Sequence, residues 1–321
     1  MRILDAAATR AALPFERLVP ALRALFADGC AVPPRQVLEI AAPPREGAEG
    51  TAPITSLLMP AWTTATGSAP RYGVKIVNVA PGNAALGLPG VHATYALFDA
   101  ATGAPLALID GGELTARRTA AASALAASWL ARDDAGHLLV VGAGRVARLL
   151  PEAMRAVRPI ARVRVWARRA EAARALAADW RAAGFDADAA DELASAVAAA
   201  DIVSCATLAT EPLIQGRWLA PGSHLDLIGS FTPAMREADD EALRGAALVV
   251  DTEEALAKSG DLIGPLARGV IAREHLRGTL AALASGEAHG RRGATERTVF
   301  KSVGTALEDL AAAMLAVQAA A

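Results

Sequence analysis

Three stretches of the chain place reactive residue types at spacings that chemistry uses. In "HLLVVGAGRVARLL", residues 137–150, Gly142, Gly144 and Ala147 fall in the order G-x-G-x-x-A between an apolar run and a helical pattern. The first glycine permits a tight turn, the second lets the backbone approach a pyrophosphate, and the alanine lets the helix pack close to its strand. Ala143, Arg145 and Val146 complete the turn, whose helix N-terminus would face the phosphates. The next apolar run, "VRVWARR", ends in Arg168 and Arg169, where an acid for ribose hydroxyls is usual in NAD sites. Two guanidiniums match a 2′-phosphate in charge and as bidentate donors, so the pattern favours NADP(H), with NAD(H) possible. Two solvated surface arginines are the bland alternative.

In "ELTARRTAA", Arg117 and Arg118 stand in the first turn of a helix that Thr115 is expected to cap. Cations there oppose the helix macrodipole by roughly 0.3–1 kcal/mol each. A negative partner is expected, either a bound anion or a protein acid such as Glu113. The third stretch is "YGVKIVNV". The chain has 29 arginines but only three lysines, Lys75, Lys258 and Lys301, so a lysine inside an apolar strand pattern raises a question. Alternation turns Lys75 away from Val74 and Ile76, either toward solvent or into a site.

The elements that would hold these residues fall into two sets. Residues 1–30 read as helical, with Gly29 as a stop, followed by strands at 56–62, 72–79, 93–99 and 104–110 with Gly/Pro-rich loops between them. That is an α+β domain with a mostly antiparallel sheet. From residue 137 strands and helices alternate, with strands expected at 137–141, 162–166, 184–188, 201–205, 224–229 and 247–251. This is the pattern of a Rossmann-type doubly wound parallel sheet, so the fold class is α/β with an additional N-terminal domain. The division expected is 1–118 for substrate and dimerisation, completed by a helix at 303–321, and 119–302 for the dinucleotide.

A formal net charge of −2 gives no footprint for nucleic acid or an anionic membrane. The longest apolar tract, "LAAAMLAVQAAA", is too short to span a bilayer, and no secretory pattern opens the chain. Cys30 and Cys205 are distant and have no metal spacing, so no metal site is expected and a reducing, cytoplasmic setting is the default.

The run "LLMPAW … YGVKIVNVAPGN … LPGVHATYALFDAATGAPLALIDGGELTARRTAAASALAASWLA", with "VVGAGRVA" and "TVFKSVGTALEDLAAA", resembles the ornithine cyclodeaminase/mu-crystallin family from about residue 33 onward. The resemblance implies a homodimer formed through the first domain. It implies that Arg35, Lys75 and Arg118 grip the α-carboxylate of a small imino or amino acid, fixing its α-carbon against a nicotinamide. It places Thr119, Thr207 and Ser302 near the cofactor. His92 falls in a matching segment, where a buried, hydrogen-bonded role is expected.

Where the chain departs from the cyclodeaminase pattern, the departures point to a substrate. Leu57 stands where a glutamate precedes "LMP", and "GSFTPAMRE" puts Phe231 at the catalytic aspartate and Met235 at a lysine. With Met59, Leu57 and Phe231 would line the substrate pocket. A second ammonium beside these residues would be unpaired, at several kcal/mol. A cyclic imino acid suits them. The sequence therefore resembles the ketimine-reductase side of the family, which reduces Δ1-pyrroline-2-carboxylate and Δ1-piperideine-2-carboxylate to proline and pipecolate. The alternatives are ornithine cyclodeamination, a related amino-acid dehydrogenase, and a crystallin-like NADPH-binding protein without turnover.

Overall fold

A computed structural model describes residues 1–41, 53–64 and 69–319. The Gly/Pro-rich loop expected at 42–53 lies almost wholly outside the described residues, as do the last two residues of the expected C-terminal helix. In chain order the first elements are β1 (Arg2–Leu4), α1 (Ala6–Ala12), α2 (Phe15–Asp28), β2 (Cys30–Ala31), β3 (Gln36–Ile40), β4 (Ile54–Thr63), β5 (Arg71–Val79), β6 (Val91–Asp99), β7 (Pro105–Asp110) and α3 (Gly111–Leu130). Then follow β8 (His137–Val141), α4 (Arg145–Arg155), β9 (Arg162–Trp166), α5 (Ala170–Ala182), β10 (Asp186–Ala189), α6 (Leu193–Ala198), β11 (Ile202–Cys205), β12 (His224–Leu227), α7 (Asp240–Leu243), β13 (Ala247–Val250), α8 (Ala255–Lys258), α9 (Gly260–Ala267), β14 (Leu276–Thr279), α10 (Leu280–Ser285), β15 (Thr298–Lys301) and α11 (Ala306–Ala319).

The chain divides into two compact units, Met1–Arg118 with the segment from Thr305 on, and Thr119–Gly304. In the first, the strands run β1-β7-β6-β5-β4-β2, with β3 also paired to β4. Only β1, against β7, is parallel. Residues 1–30 are thus not all helical: a three-residue strand comes first, too short to leave a period in the sequence. In α2, Phe15, Leu18, Val19, Leu22, Leu25 and Phe26 are buried, a stripe at helical spacing that packs against α11. Gly29 ends α2 at φ +73°, a left-handed conformation that suits glycine.

α3 begins at Gly111, four residues before the expected Thr115. Asp110 accepts the Glu113 N–H at 2.7 Å, and no Cβ would fit at Gly111, where it would come within 2.6 Å of the Ala93 backbone. Arg117 and Arg118 are therefore in the second turn, where the dipole penalty expected for a first turn has largely faded.

The second unit is an eight-stranded, wholly parallel sheet in the order β10-β9-β8-β11-β12-β15-β13-β14. The order reverses between β8 and β11, the switch point where open parallel sheets bind ligands. The strands at 276–279 and 298–301 were not apparent in the sequence. Val303 and Gly304 donate to Asp251 Oδ2 at 2.8 and 2.7 Å, tying the end of β15 to this unit. No helix among the described residues is long and apolar enough to cross a membrane, and no group of three acidic, His or Cys side chains there could hold a metal.

Candidate active site

Lys75 does not face solvent. It is 2% exposed, on the face of β5 that packs against α11. The register sets Met59 of β4 and Tyr95 of β6 on either side of it, with Leu57 opposite Val77 and Ala61 opposite Gly73. Leu57, Met59 and Lys75 therefore share one face, Met59 buried and Leu57 half-buried. Tyr95 is fully buried, and its hydroxyl finds no hydrogen-bond partner among the described residues. It lies over Gly73, where an added Cβ would come within 2.0 Å of the Tyr95 oxygen.

The partners of these cations are the main finding that sequence reading missed. Lys75 Nζ donates to Asp309 Oδ1 at 2.9 Å and lies 2.7 Å from Oδ2. Arg118 Nε donates to the same Oδ1 at 2.9 Å, and its Nη1 donates to Glu308. All four side chains are buried. Burial pushes the Lys75 ammonium down to about 8, against the pull of Asp309 and with Arg118 adding to the fall. Burial would raise Asp309, but Lys75 and Arg118 outweigh it and hold the carboxyl below its ordinary value. Burial also works against the Arg118 charge, and Asp309 and Glu308 more than offset it.

Glu113, offered above as an acid partner for these arginines, pairs with Arg10 at 3.0 Å. Arg117 donates to the Leu13 carbonyl and lies over the Phe15 ring, 4.3 Å from its centroid. Arg35 is half-buried just before β3, whose first residue Gln36 is opposite Leu58. His92 is exposed on β6, opposite Asn78, which corrects the expectation of a buried histidine: its strand position turns it outward at the rim.

The second unit carries the other candidates. Gly142 has φ +119°, and a Cβ there would come within 2.6 Å of the Ala206 carbonyl. Gly144 is exposed with open space beside it, and as N-cap of the 11-residue α4 it offers no side chain to the first N–H groups. Those N–H groups remain available to a pyrophosphate, and Gly144 leaves the approach clear, so the turn fits a dinucleotide. Arg145 is exposed, Ala143 and Val146 are half-buried, and Ala147 is buried where α4 meets the sheet. Arg168 and Arg169 are both exposed just beyond β9, with Arg169 at the N-cap of α5. Thr119 and Thr207 are half-buried, Ser302 is buried, and Phe231 is 50% exposed on the loop after β12.

Beside Thr207 lies a further buried acid, Glu237, which with Asp239 the sequence offers only as an acid outside the family's positions. Glu237 Oε1 accepts from the Thr207 N–H and hydroxyl, both at 2.8 Å, and Oε2 accepts from Gly229 N at 2.8 Å. Burial pushes its carboxyl up to about 7. Asp261 continues the chain, accepting from Glu237 N at 2.7 Å and from Lys301 Nζ at 3.1 Å. Lys301, like Lys75, is a lysine in an apolar strand that proves to be buried on an aspartate.

A model of the ornithine cyclodeaminase/mu-crystallin family matches residues 36–320. The chain belongs to this family. The family match takes in Lys75, Arg118 and the Glu308–Asp309 pair, and begins one residue after Arg35. The Δ1-pyrroline-2-carboxylate reductase of Paracoccus denitrificans is 42% identical over 300 residues, 93% of this chain and 90% of that protein. The same enzyme of Thermococcus litoralis, solved with NADH and L-proline, is 33% identical with a TM-score of 0.89, covering 100% of this chain and 97% of that one. An archaeal alanine dehydrogenase dimer with bound NAD is 29% identical with a TM-score of 0.87, covering 100% and 96%.

Proposed function

We propose that this protein is an NAD(P)H-dependent reductase of cyclic imino acids, converting Δ1-pyrroline-2-carboxylate or Δ1-piperideine-2-carboxylate to proline or pipecolate. The observation that carries the reading is the buried Lys75–Arg118 pair beside Met59 and Leu57: two cations for a carboxylate next to apolar groups for a hydrocarbon ring. The similarity to Δ1-pyrroline-2-carboxylate reductases supports it. When bound, the dihydronicotinamide would supply a hydride to the α-carbon of the imine already protonated on nitrogen, so that the C=N π pair comes to rest on that nitrogen as the amine lone pair. Lys75 and Arg118 hold the substrate carboxylate, with the half-buried Arg35 as a third cation, and this fixes the α-carbon for transfer. Leu57, Met59 and Phe231 receive the ring methylenes. Thr119, Thr207 and Ser302 lie against the cofactor.

A nicotinamide dinucleotide is the cofactor, and NADPH is favoured over NADH because Arg168 and Arg169 replace the acid that would read ribose hydroxyls. The protein works as a homodimer. Val37, Leu38 and Ile40 of β3, with Trp62, Ile76 and Val91, expose large apolar side chains on the first unit, and a second copy would cover them. Two free cysteines, one buried and one half-buried, suit a cytoplasmic setting. The test follows NADPH and NADH oxidation with both cyclic imino acids. Loss of absorbance with neither substrate would refute the reading.

A further inference from the structure

The geometry points to Asp309 as a positioning residue for the imino-acid site: its single carboxylate holds both Lys75 and Arg118 and sets the orientation in which they meet the substrate. This rests on the reading that these two cations bind the substrate carboxylate.

The argument starts from donor geometry. Lys75 and Arg118 come from β5 and α3, and no hydrogen bond joins them directly. Asp309 joins them from a third element, α11, with Oδ1 accepting from both at 2.9 Å. Glu308, one residue earlier on α11, takes Arg118 Nη1. Arg118 Nη2 makes no hydrogen bond among the described residues, and Lys75 keeps ammonium donors beyond the one Asp309 takes. Without Asp309, two like charges would sit buried together and repel each other, on long side chains with many rotamers. With it, each is fixed at one end and has donors left over. A carboxylate ligand then meets pre-oriented donors, the condition under which charged hydrogen bonds are strongest.

The groups facing Lys75 are few: Asp309 and Glu308 from α11, Arg118 from α3, and Tyr95 from β6, with Met59 contributing no charge. Burial raises the Tyr95 hydroxyl well above its ordinary value, so it stays neutral. Asp309 is thus the nearest source of negative charge for Lys75. Removing it leaves only the weaker pull of Glu308 against burial and Arg118, which both favour the neutral amine.

The experiment uses the full-length protein and Asp309→Asn, with kcat/KM for Δ1-pyrroline-2-carboxylate read across pH 6–10. The expected result is at least about a tenfold fall in kcat/KM, mainly through KM. The basic limb should move down by about one pH unit or more, a unit being 1.36 kcal/mol of differential interaction. NADPH binding, read by fluorescence, should stay within about twofold, showing that the fold and the second unit persist. Asp309→Glu keeps the charge on a longer arm. It should restore the basic limb while kcat/KM stays several-fold low, and it serves alone if the Asn variant does not fold. An unmoved basic limb in Asp309→Asn, or wild-type kcat/KM in Asp309→Glu, would overturn the assignment. Lys75→Met is the separate control: full activity in that variant would sink the carboxylate reading itself.

Discussion

The choice between NADPH and NADH is open to a direct test. The double substitution Arg168→Ala with Arg169→Ala removes both guanidiniums just beyond β9 and leaves the Gly142–Ala147 turn intact. A hydrogen bond to a charged group contributes about 1.5–3 kcal/mol when shielded. Both arginines are exposed, so solvent screening reduces each contribution toward about 1 kcal/mol. Two such losses add to about 2 kcal/mol, and at 1.4 kcal/mol per factor of ten the KM for NADPH should rise roughly 30-fold. NADH has no phosphate at that position, so its KM should change less than about threefold. Initial rates with saturating imino acid and varied cofactor measure both constants on one preparation. Raising salt should weaken NADPH more than NADH in the parent protein, because the contact is exposed. Equal rises for the two cofactors would show that the 2′-phosphate is not read by these residues.

Replacing Arg118 with Leu should reduce kcat/KM for the imino acid by the loss of a charge-assisted partner, about 2–5 kcal/mol, with NADPH affinity unchanged; steady-state kinetics with wild-type values would leave Arg118 a purely structural residue. Gly73→Ala should displace the buried Tyr95 ring and destabilise the fold by about 1–3 kcal/mol, measured as a lower urea midpoint, and an unchanged midpoint would mean the strands yield freely. Ornithine should give no measurable ammonia with NAD present, while cyclic imino acids are reduced. Phe231→Asp should weaken that reduction without creating ammonia release, since Leu57 remains apolar, and robust deamination by the parent protein would contradict the reading.

What the sequence made legible followed from local pattern. The glycine turn at 142–147 could be placed because an apolar strand and a helix bracket it. Lys75 stood out because lysine is scarce and its neighbours are apolar. Asp309 did not stand out, because an acid pair opening a helix already has a reason in the macrodipole. The available signal was subtler. α11 is apolar nearly all round, with residues 306–313 buried, so an acid within it has to be buried and therefore paired. Asp110 was missed as a cap because the glycines after it read as loop. Yet Asp110 with Glu113 three residues on is the spacing of a capping box, and Gly111 is small because β6 passes against it. Lys301 carried the same signal as Lys75, in a strand whose four residues were too few to register.

The charge of the buried cluster bears on which substrate it can hold. Lys75 and Arg118 carry two positive charges, set against the two negative ones of Asp309 and Glu308. A cyclic imino acid with a protonated nitrogen brings one charge of each sign and leaves the net charge of the cluster unchanged. Ornithine brings a further ammonium, which needs its own carboxylate or incurs a desolvation penalty of several kcal/mol. The positions where the cyclodeaminase pattern has acids hold Leu57 and Phe231. Within the second unit, Glu237 is committed to Thr207 and Gly229, and Asp239 to the N–H groups of Ala242 and Gly216 at 3.0 and 2.8 Å. Freeing Glu237 would strip three hydrogen bonds from the ends of β11 and β12, at the strand ends where the cofactor is expected. A diamine would need a counter-charge for its second ammonium, whereas a closed imine ring makes no such demand.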